Sequence, residues 1–426
     1  MAKLQSVRGT NDILPPATVQ WHSVESTLRH IAELYGFQEV RTPVFEYTEL
    51  FARGIGETTD VVSKEMYTFH DLGNESLTLR PEATAGLIRA AIEHSLVEKN
   101  PVVRLWALGP MFRQERPQKG RYRQFHQFDA ELLGSAQPEA DAEVIAFAYH
   151  LVCELGLSAF DIHLNSLGNA ASRAAYREQL LAHFRPVKEH LSADSQSRLE
   201  RNPLRILDSK HPDDAEFVQT APALADALDD ESKRYFEDVQ HLLSAMGVPF
   251  VLNNRLVRGL DYYCHTAFEL VTTKLGSQNA IGGGGRYDGL FEQLGGKPTP
   301  GVGFAFGMER VMLLLEEEGA LLAVNAACDL YIVALDKDSR SMAAALVFAL
   351  RKRGFAVQSD VLARSFKAQM RDADRTQARF VLIIGEQERH SGKGILKSMA
   401  TGDQQEHVLN DIDGLAAQLR LLPAGA

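Results

Sequence analysis

FRQERPQKGRYRQFHQFDAE, residues 112–131, places five cations, Arg113, Arg116, Lys119, Arg121 and Arg123, within eleven positions. The flanking segments, 101–112 and 123–133, have strand-type patterns, so the spacing predicts an antiparallel hairpin around a long polar turn over 113–122. Arginine offers a planar, permanently charged fork that matches phosphate. Glu115 can accept from an exocyclic amine, and Phe125 offers a ring on which a base can stack. A generic basic run is a solvated loop. Here Glu115, Phe125, Gln127 and Glu131 interleave with the charges on strand-like sequence, which points to a wall facing an anionic ligand.

Three segments further along carry the same kind of signal. In LVRGLDYYCHTAFE, 256–269, Arg258 stands beside two tyrosines in sequence otherwise fit for a buried strand. A buried cation without a partner is very costly, so Arg258 should face a ligand or a carboxylate, the plainer choice being an ion pair with Asp261. IGGGGRYDGL, 281–290, has four successive glycines that let the backbone approach a ligand closely. Alone this is a weak signal; it lacks the Gly-Lys-Ser/Thr ending of a Walker loop and does not open a dinucleotide-binding unit. In GVGFAFGMERVMLLLEE, 301–317, a strand of small residues runs into a helix with Arg310 in its first turn. An arginine there opposes the helix dipole, and a bound anion would remove that penalty.

Around these segments the chain reads as an α+β body followed by an α/β tail. Residues 17–35 have apolar positions at helical spacing (Trp21, Val24, Leu28, Ile31, Leu34), with Gly36 placed to end the helix. VRTPVF, 40–45, reads as an edge or bulged strand because of Pro43. Residues 168–245 lose their strand signals and take on helical periodicity, which suggests an inserted helical module. Strands return at VPFVLN, at YYCHTAFELVT and near the glycine run. The last hundred residues alternate DLYIVAL, SMAAALVFALRKRG, FAVQSD, KAQMRDADRTQ and RFVLIIG, a β-α-β-α-β order with a linker near 318–326.

Composition bounds the function. The 426 residues suffice for two or three domains, and 45% hydrophobic with 24% charged residues is ordinary for a globular protein. No N-terminal signal core and no membrane-length apolar run is present, so a cytoplasmic location without membrane contact is expected. Cys153, Cys264 and Cys328 form no CxxC pair, which argues against a disulfide framework or a structural metal, and no metal ligands are assigned. The net charge of −11 argues against a protein that coats nucleic acid by bulk electrostatics. From residue 327 onward, however, there are 14 Lys+Arg against 12 Asp+Glu, leaving 31 against 44 for the rest. A slightly basic tail on an acidic body allows local RNA contact.

Taken in order, RGTNDILP (8–15), YGFQEVRTPVFE (35–46), LRPEATA (79–85), the arginine-rich hairpin, LVRGLDYY (256–263), GGGGRYDGL (282–290) and the Arg310 helix resemble the motifs of class II aminoacyl-tRNA synthetases, and specifically of the histidyl-tRNA synthetases. The resemblance runs from residue 7 through the tail. It implies a class II catalytic domain over 1–325, an antiparallel sheet flanked by helices with a mostly helical insertion at about 168–245. It also implies an α/β anticodon-binding domain over 326–426. The implied substrates are L-histidine, ATP and histidine tRNA, with Mg2+ on the ATP phosphates, in a homodimer held by the 35–46 motif.

By position, the resemblance implies that Arg113 holds the α-phosphate, Glu115 the adenine amine and Phe125 the adenine face. Arg310 would bind the γ-phosphate end, with Arg121 or Arg123 assisting. Glu82 and Thr84 would bind the substrate's α-amino group, and Gln127 would lie near its carboxylate. Glu131 and Tyr263 would read the imidazole, with Tyr262 and Tyr287 lining the pocket. Arg258 would bridge the histidine carboxylate and the α-phosphate, making Arg258 and Arg113 the catalytic pair. Gln118 would meet the tRNA acceptor stem.

Two departures from the family pattern are Ala83, where glycine is usual, and the Cys264–His265 pair. Two other readings remain in view. One is a non-catalytic, histidine-binding regulatory relative of ATP phosphoribosyltransferase, in which the arginines are expendable and the tail is absent. The other is a class II synthetase for a different amino acid, against which an acidic Glu131 in the pocket argues, since imidazole needs an acceptor.

Overall fold

The hairpin around the arginine-rich turn forms in full. The computed structural model describes residues 3–56, 59–207, 209, 211–258, 260, 262–276, 279–321 and 328–421. The chain divides into two compact units, 1–321 and 322–426. In chain order the strands of the first unit are β1 (Gln38–Glu39), β2 (Phe45–Tyr47), β3 (Tyr67–His70), β4 (Ser76–Leu79), β5 (Val103–Phe112), β6 (Gln124–Leu133), β7 (Asp161–Ser166), β8 (Val251–Leu252), β9 (Cys264–Val271), β10 (Ala280–Arg286) and β11 (Gly301–Gly307). Strands β5 and β6 pair from Val103↔Leu133 to Phe112↔Gln124. They belong to an eight-stranded sheet ordered β1-β5-β6-β11-β10-β9-β7-β8. Its inner pairings are antiparallel, and the short edge strands β1 and β8 run parallel to their neighbours. Strands β2, β4 and β3 make a small separate antiparallel sheet.

Strand alternation sorts β6 into two faces. Phe128, Ala130 and Leu132 are buried in the main apolar core, with Phe128 stacked on Trp106 at 5.5 Å between ring centres. Helices Ala17–Leu34, Pro138–Glu154 and Met308–Glu317 cover that face. The intervening Gln127, Asp129 and Glu131 point the other way, into a cavity. In the first helix Trp21, Val24, Leu28 and Ile31 are buried as their spacing predicts, but Leu34 is 62% exposed because the last turn runs past the core.

The VRTPVF segment does not form the edge or bulged strand that its sequence predicts. Residues 40–44 belong to no strand, and β1 and β2 flank them. Pro43 has no N–H for a ladder, and the chain here crosses from the large sheet to the small one. VPFVLN likewise shrinks to the two residues of β8.

The inserted region is mostly helical, with Ala170–Phe184, Ala193–Leu199, Pro212–Gln219 and several single turns. Its final helix, Asp230–Ala245, belongs to the body instead: Val239 and Leu243 are buried in the main core, and the helix packs on Pro138–Glu154. The remaining inserted helices share a continuous apolar core with Tyr262, Tyr263 and Tyr287 through Tyr176, Leu180, Leu199 and Ile206. The insertion therefore backs the cavity wall.

One buried ion pair locks β10 to this framework. Arg286, 1% exposed, donates from Nη2 to Asp141 Oδ1 at 2.6 Å, and Nε lies 3.0 Å from the same oxygen. Asp141 also accepts from Tyr235 at 3.0 Å and from Thr266. Without Asp141 the buried guanidinium keeps only Asp288, 2.9 Å from Nη1, and the Ser135 and Gln137 carbonyls, with no solvent to replace the lost pair. Asp141→Ala is expected to lower unfolding stability by about 3–5 kcal/mol, read from denaturant curves; a change within about 0.5 kcal/mol would mean that Arg286 finds water or another partner.

The second unit contains β12 (Cys328–Ala334), β13 (Val357–Ser359), β14 (Ala378–Ile384), β15 (Lys393–Ser398) and β16 (Gln404–Val408), ordered β13-β12-β14-β15-β16. The first three are parallel, joined by helices Lys337–Arg351 and Phe366–Arg375, as the alternating pattern predicts. Strands β15 and β16 extend the sheet antiparallel and were not foreseen. Leu330, Ile332, Leu346, Leu350 and Leu415 form a core on one face; Tyr331, Val333, Ala373 and Val381 form another opposite.

Candidate active site

A cavity of about 360 Å³ opens on the polar face of the large sheet, lined from β6, β9, β10, β11 and the segments between them. It gathers Glu82, Thr84, Arg113, Glu115, Arg121, Phe125, Gln127, Glu131, Arg258, Tyr262, Tyr263, Tyr287 and Arg310. Arg123 and Gln118 do not line it. Arg123 braces the turn instead: its Nε and Nη1 reach the carbonyls of Glu115 and Arg8 at 3.3 Å, and its own N–H donates to the Gly9 carbonyl at 2.7 Å. That contact explains the RGT motif near the start. Gly9 has φ +91°, and a Cβ there would stand 2.7 Å from the Pro117 ring. Gln118 is exposed at the tip, where its backbone pairs with Arg121.

Carboxylates and tyrosines dominate one end. Glu131, 1% exposed, accepts from Thr84 Oγ1 at 2.7 Å and from the Tyr287 hydroxyl. Glu82 accepts from the backbone N–H groups of Thr84 and Ala85, each at 2.9 Å, at the start of helix Thr84–Glu93. Tyr262 packs on Tyr263 and Tyr287 with ring centres 4.6 and 5.6 Å away. Burial pushes the Glu131 carboxyl up to about 8, against the lowering pull of the Tyr287 and Thr84 hydrogen bonds. Glycine at 303, paired with Glu131 across the strands, makes room for it: a Cβ there would fall 1.6 Å from Oε2.

The Glu131 shift has a consequence for stability. Its carboxyl holds a proton in the folded protein between about pH 4.5 and 8, where the unfolded chain has released it. The folded state then binds more protons, so its stability falls as pH rises through that window. Compared with Glu131→Gln, the wild type should lose stability with a slope of up to about 1.4 kcal/mol per pH unit. Unfolding curves taken across the window read this out; parallel pH profiles would show that Glu131 is not held protonated.

Arginines dominate the other end. Arg113 anchors through Nε to the Pro81 carbonyl at 2.9 Å and lies over the Phe125 ring at 5.2 Å. Arg121 pairs with Glu115, which is buried. Arg310 reaches the Ala280 carbonyl at 2.7 Å and the Gly120 carbonyl at 3.1 Å. Arg258 sits between the two ends. It pairs with Glu269 at 3.2 Å and lies over the Tyr263 ring at 5.6 Å. Asp261, the alternative structural partner, lies outside the described residues. The glycine run has its physical reason here too. A Cβ on Gly283 would come 2.6 Å from the Phe268 carbonyl oxygen of β9 and 2.7 Å from Arg258 Nη1, while Gly282 and Gly284 are pressed against β11.

Sequence reasoning missed Asp129, Glu65, Glu269 and Arg205 on the cavity wall. Asp129 and Glu269 follow from alternation once Glu131 and Ala267 are placed. Arg205 comes from the insertion, and no local signal marks it. Among the described residues no three His, Cys, Asp or Glu side chains gather into a ready-made metal site.

An antiparallel sheet carrying this arginine hairpin, with the glycine strands and the Arg310 helix beside it, is the catalytic fold of a class II aminoacyl-tRNA synthetase. Comparison with known proteins narrows this. Residues 9–311 match the family model described as histidyl-tRNA synthetase, and 329–417 match an anticodon binding domain. The chain is 50% identical over 424 residues to the histidine–tRNA ligase of Synechococcus elongatus, covering 99% of this chain and 97% of that one. It is 48% identical over 411 residues to that of Geobacillus kaustophilus, covering 96% of each. The crystal structure of apo S. aureus histidyl-tRNA synthetase superposes with a TM-score of 0.83 at 39% identity, over 98% of this chain and 100% of that one. The chain belongs to the histidyl-tRNA synthetase family.

Proposed function

We propose that the protein is a histidine–tRNA ligase: it activates L-histidine with ATP, releasing pyrophosphate, and transfers the histidyl group to the 3′ end of its tRNA. The observation that carries this is the convergence of Arg113, Arg258 and Arg310 with a buried Glu131 in one cavity. In the first step the histidine carboxylate attacks the α-phosphorus in line. No covalent help from the protein is required, so placement and charge stabilisation are its contribution. Arg113 holds the α-phosphate, and Arg258 bridges it to the attacking carboxylate. Arg310 takes the γ-phosphate end with Arg121 beside it. Arg121, which lines the cavity, suits this better than Arg123, which is engaged with the main chain. Phe125 and Glu115 receive adenine.

At the other end Glu131 and Tyr263 read the imidazole between Tyr262 and Tyr287, Glu82 and Thr84 take the α-amino group, and Gln127 lies by the carboxylate. Mg2+ would be carried on the ATP phosphates, with Glu269 offering an oxygen from the wall; there it would neutralise charge on the leaving pyrophosphate. In the second step a ribose hydroxyl of the tRNA 3′ end attacks the activated carbonyl, with exposed Gln118 placed to meet the acceptor stem.

We read residues 1–325 as the catalytic domain and 326–426 as the anticodon-binding domain. The protein works as a homodimer through the 35–46 motif. A cytoplasmic location fits the absence, among the described residues, of any helix long and apolar enough to cross a membrane. The regulatory-relative reading is weakened by the intact set of arginines and by the match of the tail to an anticodon binding domain. Purified protein, ATP, labelled histidine and histidine tRNA should give labelled tRNA that releases histidine in mild base; label that stays free would count against the transfer step.

A further inference from the structure

Asp129 has no part in the arrangement above, yet its surroundings are unusual. It stands on β6 between Gln127 and Glu131, on the cavity face, and it is 1% exposed. Neither Oδ1 nor Oδ2 has a hydrogen-bond partner. A buried carboxyl with both oxygens unsatisfied is costly, and such groups are rare outside binding sites. The neighbouring Glu82 differs in this respect, since each of its oxygens is already taken by a backbone N–H.

We infer that Asp129 is a binding residue for the substrate's α-ammonium group, accepting hydrogen bonds that Glu82 is too engaged to accept alone. The inference rests on the histidine-activating reading of the cavity. Three carboxyl groups, Glu82, Asp129 and Glu131, face one small buried space, with Arg80 and Arg113 the cations acting on Asp129. Arg80 is committed to the carbonyls of Pro110 and Thr42, at 2.9 and 3.1 Å. Arg113 is anchored to Pro81. Burial, and then repulsion from Glu131 and Glu82, pushes the Asp129 carboxyl well above the usual carboxylate range. An entering ammonium relieves both the repulsion and the missing hydrogen bonds. The imidazole, read by Glu131, is held by a separate side chain two residues along the strand. Asp129 therefore discriminates for the amino acid over an otherwise identical acid that lacks the amine.

The test compares two ligands on two proteins. L-Histidine and its deamino analogue, 3-(imidazol-4-yl)propionate, are titrated into the full-length wild type and Asp129→Asn by calorimetry. The substitution should weaken L-histidine binding about 10-fold or more, in the range for a hydrogen bond to a charged group. Binding of the deamino analogue should change by less than about twofold. Equal weakening of both ligands would overturn the assignment in favour of a structural role, and so would unchanged L-histidine binding. If the amide variant does not fold, Asp129→Ser, smaller and neutral, puts the same question. Wild-type protein that binds neither ligand would instead overturn the histidine-binding reading beneath the assignment.

Discussion

Arg258→Ala is expected to lower histidine-dependent ATP–pyrophosphate exchange by on the order of 10³-fold while the protein stays folded. Arg258 reaches the cavity from a segment that brings two tyrosines with it. Its Nη1 pairs with Glu269 at 3.2 Å, and its buried Nε has no hydrogen-bond partner. A strut would be more fully paired, as Arg286 is. Gly283 lies close to the guanidinium as well, with the Arg258 Nη1 position 2.7 Å from where a Cβ would stand and the Phe268 carbonyl oxygen 2.6 Å from it. In the proposed reaction Arg258 bridges the histidine carboxylate and the α-phosphate. Arg258→Lys keeps the charge but loses the fork, so it should recover only part of the rate. Exchange near the wild-type rate in Arg258→Ala, with a lower unfolding midpoint, would make Arg258 a structural partner of Glu269 only.

The second large effect concerns selectivity. Glu131→Gln should reduce kcat/KM for histidine on the order of 10³-fold, mostly through KM. Both oxygens of Glu131 already accept, one from Thr84 and one from Tyr287. Glu131 can give up its proton as the imidazole enters and meet its N–H as a carboxylate, whereas an amide cannot lose its N–H₂ hydrogens and offers only a neutral carbonyl. A site built to satisfy a polar substrate group rejects poorly paired alternatives strongly, because its own buried groups are then left without partners. A kinetic loss under about tenfold would move imidazole recognition to the tyrosines.

What the sequence could disclose follows from how local each signal was. The hairpin was legible because charge density, aromatic placement and strand pattern coincide within twenty residues. That Arg113, Glu131 and Arg258 line one cavity was legible as well, Arg113 and Glu131 from the hairpin pattern and Arg258 from a charge set in buried-strand sequence. Arg286 shows the converse. It sits in the glycine-rich motif beside Tyr287, yet it turns away from the cavity onto Asp141, 145 residues earlier in the chain. Nothing near either residue announces that pairing. The end of the insertion was misplaced because Asp230–Ala245 has the same charged helical periodicity as the helices before it; only the burial of Val239 and Leu243 assigns it to the body. Strand β16 eluded the reading because only His407 along it is buried, so no alternation appears. Asp129 was passed over because a lone acid between two apolar residues looks like strand polarity until its missing partners are seen.

The measurement that bears most directly on the account is ATP–pyrophosphate exchange by the wild-type protein with each of the twenty amino acids in turn. Exchange is expected with histidine and with no other amino acid. Exchange with a different amino acid would contradict the pocket assignment built on Glu131. No exchange at all, alongside measurable histidine binding, would contradict the activation chemistry and leave a histidine-binding regulatory protein in its place.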